Sequence, residues 1–388
     1  MSDLPAQVVT DILSRLPVKT LLRFRCVSKP WCALIDSPDF VKFHLKRSIE
    51  TKSNLSLILR CWNLYSVDLE SLDNALELDH PLKSDNYVTE VLGSCNGLLC
   101  LANSEEDIVL WNPSIRKHRK LPVMPIELPP PEFCFCQFIV YGFGHDVVND
   151  EYKLVRLVQF YGDDDDSFDS EVKVYNLKSN SWRRIPDFPY YLRDVLGNGS
   201  NGMLVSAALH WVVTREPKSD TSNLIAAFDI GTEEYRLVPQ PEYSDENFLM
   251  DVGVLGGCLI IFCNYYSEVD IWLMKEYGVK ESWTNLFSVS QPTVIRSFEY
   301  LNPIAYSKSG EEVLLEQDRE KLLWYNLKNK TVKNVRIRGM PNSFSTDICL
   351  GSLVPPGGDG TSDGKKQPAQ EKTKMKKKKK GKERDDFL

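Results

Sequence analysis

A chain of 388 residues that is 42% hydrophobic, 26% charged and 11% aromatic can bury a large core, and its composition excludes a fibrous or wholly disordered protein. The net charge of -7 hides a division: residues 355–388 hold 11 Lys and Arg against 6 Asp and Glu, and the remainder holds 36 against 48, an acidic body poorly suited to nucleic-acid phosphate. The N-terminal residues lack the cationic and apolar regions of a secretion signal, and no run of about 18 apolar residues occurs, so neither export nor a membrane span is expected.

Inside the cell the ten cysteines should stay reduced, and the N-x-S/T triplets at Asn54, Asn198 and Asn329 should be unmodified. In chain order, a helical head comes first. Leu4, Val8, Ile12 and Leu16 recur every four positions with Val9 and Leu13 beside them, which predicts a helix whose apolar stripe covers half its circumference. Pro5 suits a first helical turn and Pro17 ends the helix. A short apolar run over residues 21–27 follows, then Ser28 as N-cap of a third helix bearing Trp31, Leu34 and Ile35. Ser37 and Pro38 open a fourth helix that should reach about Arg47. So small a unit cannot cover so wide a stripe, and periodicity leaves open whether a partner or the chain's own body does so.

From Asn54 to Leu353 the pattern changes to short β-branched and aromatic runs separated by Gly, Asn, Asp, Ser and Pro, an all-β signature. An aromatic near the end of a strand recurs at Tyr65, Trp111, Tyr175, Phe228, Trp272 and Tyr325, on average about 52 residues apart, near the period of kelch-type propeller blades. In three repeats an Asn or Asp follows the aromatic and a proline comes ten residues later: Asn112 and Pro122, Asn176 and Pro186, Asp229 and Pro239. Residues 174–186 read as strand, polar turn, strand, the outer hairpin of a blade. About six blades are expected. From Pro355 the chain is polar, contains the block Lys376 to Lys380, and should be disordered; the block reads as a nuclear-import address or as a solvated tail.

The chemistry of catalysis is sparse. Five histidines, His44, His80, His118, His145 and His210, form no HExxH; Cys134 and Cys136 have no second ligand pair nearby; Gly142-Phe143-Gly144 opens no phosphate loop; and no G-x-S-x-G occurs. No catalytic residue, metal or cofactor is expected.

The head resembles the F-box in its plant form, through Leu4-Pro5, residues 11–29, Trp31 and residues 37–40. Residues 93–100, 110–114, 141–146, 150–156 and Trp182-Arg183 are similar to the F-box-associated interaction domain of plant S-locus and defence-related F-box proteins, and residues 64–69, 272–277 and 384–388 are most like the defence-regulating members. The resemblance covers roughly residues 1–354. It implies an α+β multidomain chain: an F-box over 1–47, an all-β, kelch-like β-propeller-type domain over 54–354, and the Lys-rich tail over 355–388.

It further implies a non-catalytic substrate receptor of a Skp-cullin-F-box ubiquitin ligase. The partners would be a Skp-family adaptor, through it cullin and RING subunits, and a protein substrate, an intracellular immune receptor on the likeness to the defence-regulating members; recognition of an S-locus ribonuclease, or a scaffold role outside any ligase, are the alternatives. Neither nucleic acid nor membrane is a partner, and the location would be cytoplasmic and nuclear. Leu4, Pro5, Ile12, Leu13, Leu16, Pro17, Leu21 and Leu22 are the expected adaptor contacts, with Val9, Phe24, Val27 and Trp31 as the head's own core. On the body, loops at Glu132 and Phe133 and at Asp163, Asp164, Asp165 and Asp166 are the candidates for substrate contact, since loops on a rigid scaffold carry binding.

Overall fold

A computed structural model describes residues 5–127, 129, 133–162, 167–193, 201–217, 223–243, 248–291 and 293–357, with residues 133–137 as backbone only. The segment read as a disordered tail lies outside these residues from 358 on, but Pro355 to Gly357 belong to the body, where Gly357 O accepts a hydrogen bond from Arg119.

Four helices form the head: α1 (Ala6–Ser14), α2 (Val18–Phe24), α3 (Lys29–Ile35) and α4 (Pro38–Thr51). Pro5 and Pro17 take the N-cap positions of α1 and α2, where a missing N–H costs nothing, so Pro17 both separates the helices and starts the second. Ser28 and Ser37 cap α3 and α4 by accepting from the N–H groups of Trp31 and Phe40. α4 runs a turn beyond the expected end at Arg47, to Thr51, and stops where Lys52 turns left-handed. Leu13, Val18, Leu21, Ile35 and Phe40 make the head's core, with Val9, Phe24 and Trp31 packed on it. Val27, expected in that core, is instead 61% exposed, because it lies in the turn between α2 and α3 rather than on a helix face.

The body is a six-bladed propeller. Blade 1 contains β1 (Leu55–Arg60), β2 (Leu64–Asp68) and β3 (Leu76–Glu77); blade 2 contains β4 (Glu90–Cys95), β5 (Leu98–Ser104), β6 (Asp107–Asn112) and β7 (Lys117–Lys120). Blade 3 contains β8 (Phe133–Asp146), β9 (Glu151–Gly162), β10 (Phe168–Asn176) and β11 (Ser181–Ile185). In blade 4 the inner strand is broken into β12 (Tyr191–Leu192) and β13 (Met203–Val205), which pair with successive parts of β14 (Ala208–Thr214), and β15 (Leu224–Asp229) and β16 (Tyr235–Leu237) follow. Blade 5 contains β17 (Leu249–Leu255), β18 (Cys258–Asn264), β19 (Glu268–Met274) and β20 (Trp283–Ser290), and blade 6 contains β21 (Leu301–Tyr306), β22 (Glu312–Gln317), β23 (Lys321–Asn326) and β24 (Val332–Val335). The last strand, β25 (Ser345–Leu350), returns to blade 1 and pairs antiparallel with β1 as its innermost strand, which closes the ring.

The repeat seen in sequence has a physical basis. The six aromatics each lie on the third strand of a blade, on β2, β6, β10, β15, β19 and β23. The Asn or Asp that ends four of these strands, Asp68, Asn112, Asp229 and Asn326, accepts the next two free backbone N–H groups through its side-chain oxygen, and the residue four positions on, Leu72, Arg116, Glu233 or Lys330, turns left-handed. Asp68 was not legible as a repeat because it follows Val67 rather than an aromatic. The prolines end the outer strands and join neighbouring blades: Pro122 O accepts from Trp182 Nε1, Pro186 O from the Tyr235 hydroxyl and Pro239 O from Trp283 Nε1, at 2.8–2.9 Å. Asn96 and Gly97, both left-handed, form the tight β4–β5 turn, and a Cβ on Gly97 would stand 2.5 Å from Leu350 O.

Buried charges cluster around Lys153 and Arg156 of the segment 150–156. Lys153 contacts Asp146 at 2.9 Å, and it reaches blade 4 at Glu233, 2.9 Å away, and at Ile230 O. Arg156 pairs with Glu171 at 2.8 Å, and Lys173 bridges Glu171 and Glu127. Each of these buried ions thus has an opposite charge beside it, which offsets the cost of its burial.

Candidate functional site

The head sits on one face of the propeller. Leu353 and Ile115, from the segment after β25 and the β6–β7 turn, join the head's core, and Val41 and Leu45 of α4 pack on the core of blade 2. Lys42 pairs with Asp150 in the β8–β9 turn at 2.7 Å, and Asn54 donates to the Ser48 hydroxyl. These contacts come from hairpins joining first to second or third to fourth strands, and antiparallel topology puts all such hairpins on the same face. Three residues separate α4 from β1, so little slack exists between head and ring.

One side of the head is therefore covered by its own body, and the other side is open. Leu13 and Leu21, expected among the adaptor contacts, lie at 1% and 0% exposure inside the head's core and are corrected to structural residues, because the helix periodicity that predicted the stripe does not say which of its edges packs inward. Leu16 and Leu22 are partly buried on that core. Pro5, Ile12 and Pro17 are exposed, and Val8, not among the expected contacts, is exposed beside them, a position one turn before Ile12 that the i, i+4 pattern had marked. Leu4 lies outside the described residues.

The substrate candidates fall largely outside the described residues as well: Glu132 and Asp163, Asp164, Asp165 and Asp166 wholly so, and Phe133 as backbone only, at the start of β8. The strands that flank them meet at the face opposite the head, where second-to-third-strand turns and blade-to-blade connections lie.

Between the faces runs a channel of about 1670 Å³ lined by the inner strands. Ser48, Ile49, Thr51 and Lys52 of the head border one mouth, and Arg60, Val88, Glu90, Glu316, Arg319 and Asp347 stand toward the other. Glu316 is buried and accepts a hydrogen bond from the Thr346 hydroxyl; burial pushes its carboxyl up to about 7, with Asp347 adding to the rise and Thr346, Asn302 and Arg319 opposing it. Burial also raises the Asp347 carboxyl, opposed by Arg60, whose Nε stands 3.9 Å from Asp347 Oδ2. That oxygen and that nitrogen have no hydrogen-bond partner.

A test of this environment follows from the sign of the Glu316 shift. Below the ordinary value of 4.5 the group is protonated folded and unfolded alike; between 4.5 and about 7 the unfolded chain releases the proton first, so rising pH removes stability, up to about 3 kcal/mol. Glu316→Gln, which cannot ionise, is expected to match the parent near pH 5 and to unfold several degrees higher near pH 8. Equal melting of the two near pH 8 would show that Arg319 and the hydrogen bonds to Glu316 offset its burial in full.

Two of the histidines are placed structurally. His44 holds Leu16 O at 3.0 Å, and His210, pulled to about 4 by burial, lies between Met203 O and the Tyr277 hydroxyl. Among the described residues no three His, Cys, Asp or Glu side chains gather in a group able to hold a metal ion, and no helix is long and apolar enough to cross a membrane.

Comparison with known proteins gives two matches along the chain: residues 1–43 match the F-box domain, and residues 55–354 match the F-box associated beta propeller domain. The F-box protein CPR1 of Arabidopsis thaliana is 42% identical over 100% of this chain and 98% of its own length. An F-box/kelch-repeat protein of the same plant is 32% identical over 84% of this chain and 88% of its own. Among solved structures, the oligogalacturonate lyase of Vibrio parahaemolyticus shares 11% identity over 70% of each chain with a TM-score of 0.38, a likeness too loose to bear on function.

Proposed function

The chain belongs to the F-box proteins that carry an F-box-associated β-propeller, non-catalytic substrate receptors of ubiquitin ligases, and from that premise we propose that its head binds a Skp-family adaptor while the far face of its propeller receives an intracellular immune receptor. The observation that carries this reading is the arrangement of the two ends: α1 presents Pro5, Val8 and Ile12 outward, and the body's contacts with the head leave the opposite mouth of the channel open. Cullin and RING subunits would join through the adaptor.

Chemistry on this chain is then unnecessary. A target held at a fixed distance from the charged ubiquitin carrier experiences a high effective concentration, and the short connection from α4 to β1 limits how far that distance varies. The functional boundaries under this reading are an F-box over residues 1–47 and a recognition domain over 54–354. The site of action is cytoplasmic and nuclear, where such receptors and the ligase machinery meet.

Co-expression in plant cells tests the proposal. An immune-receptor protein is expected to fall in the presence of the intact chain with its transcript unchanged, and to accumulate when the Ile12→Asp variant replaces it. A receptor level that ignores both would remove this target class, and a fall in transcript would move the effect away from protein turnover.

A further inference from the structure

Three aromatic side chains of the described residues are more than half exposed: Trp62, Tyr87 and Tyr266, the last completely so. All three stand on the propeller face opposite the head. Trp62 lies in the β1–β2 turn, Tyr87 in the connection from blade 1 to blade 2, and Tyr266 in the β18–β19 turn of blade 5. Exposed Val88 adjoins Tyr87, and exposed Leu249, paired with Asn264 in register, is on the same blade as Tyr266. In a ring of six, blades 2 and 5 face each other, so these residues stand on opposite sides of that face, Val88 within the channel lining and Trp62, Tyr87, Leu249 and Tyr266 outside it. Single exposed apolar residues need no explanation, but three exposed aromatics confined to one face mark an interaction surface.

The well between them carries an excess of acid. Glu90, Asp251, Glu316 and Asp347 come from blades 2, 5, 6 and 1, against the guanidiniums of Arg60 and Arg319. Arg319 lies over the Tyr300 ring at 5.7 Å, and Arg60 approaches Asp347 no nearer than 3.9 Å. Lys52, by contrast, lies toward the head-side mouth.

We infer that this mouth holds a basic, extended segment of the target protein, with a Lys or Arg side chain entering among Glu90, Glu316 and Asp347 and the segment's apolar neighbours resting on Trp62, Tyr87 and Tyr266. Charge complementarity selects the occupant: the acids outnumber the guanidiniums here, and an ammonium or guanidinium supplies the hydrogen-bond donor that the Asp347 oxygen, 3.9 Å from Arg60, does not have. The aromatics offer rigid apolar area and cation–π faces, the usual composition of a binding hot spot. This inference rests on the receptor reading above and deepens it by naming the chemistry of the target segment.

The test uses the full chain bound to its Skp adaptor and fluorescent peptides as probes: one alternating Lys with Leu, one alternating Glu with Leu, and one alternating Lys with Ser. The Lys-Leu peptide is expected to bind more tightly than the other two. Asp347→Asn with Glu316→Gln, and separately Trp62→Ala with Tyr266→Ala, should each weaken it by about tenfold. Val147→Ser with Val148→Ser, on the head-side β8–β9 turn, should leave it unchanged. Equal binding of the Glu-Leu peptide, or indifference to both far-face variants, overturns the inference; the surface pair Trp62 and Tyr266 decides the matter if the channel variant fails to fold. Binding that appears only after residues 358–388 are removed assigns the mouth to the chain's own lysine block and overturns the target assignment. Every variant should retain the adaptor, so loss of peptide with adaptor still bound faults this inference alone, and absence of adaptor on the intact chain faults the receptor reading.

Discussion

Ile12→Asp is expected to abolish co-purification of the chain with a Skp-family adaptor while shifting its own thermal unfolding by no more than about 1 °C. The asymmetry follows from placement. Ile12 is 47% exposed on the open edge of α1, so a carboxylate there remains hydrated in the free protein and is desolvated only when the adaptor covers it. Leaving an unpaired charge in an apolar interface costs several kcal/mol, enough to reduce affinity by two or more orders of magnitude.

Leu13→Asp, one residue away, should behave in the opposite manner. Leu13 packs with Val18, Leu21, Ile35 and Phe40, so the same carboxylate would break up the head before any partner is met. The two variants together separate a docking edge from a core position. Changing Leu4 and Pro5 together to Ala is a milder form of the first variant and should also lose the adaptor with the body intact. Retention of adaptor by the Ile12 variant would place the interface elsewhere on the head.

The second large effect concerns ring closure. A chain ending at Phe344 is expected to be insoluble or to lack a cooperative unfolding transition, whereas one ending at Gly357 should unfold like the full chain. The first truncation removes β25, which hydrogen-bonds along β1 from Leu55 opposite Leu350 to Arg60 opposite Ser345. It also removes Cys349, Leu353 and Val354 from the cores of blade 1, the head and blade 2. Asn112, fully buried, would lose the Ser352 and Val354 carbonyls to which its side-chain N–H groups donate. The freed edge of β1 would be a template for aggregation. Circular dichroism on heating distinguishes the outcomes, and a soluble, cooperatively melting chain ending at Phe344 would mean that blade 1 is complete without its last strand.

Features set by neighbours along the chain are legible from the residues alone. Ser28 and Ser37 as caps, Pro5 and Pro17 at helix starts, and the Asn or Asp turns at the ends of third strands are set by hydrogen bonds within a few residues, so their spacing announces both the four-helix head and the blade period. Which face each element turns to the rest depends on contacts with distant parts of the chain. Ile12 and Leu13 are adjacent on one apolar stripe, and their opposite fates depend on α4 and Leu353, far along the chain. The prolines that recur ten residues after the Asn or Asp are acceptors for aromatics of the next blade, and Asn112 holds a segment 240 residues away. The channel mouth, too, gathers Arg60, Glu90, Glu316 and Asp347 from three blades. Local periodicity carries no information about such partners, because ring closure, rather than any short-range preference, brings them together.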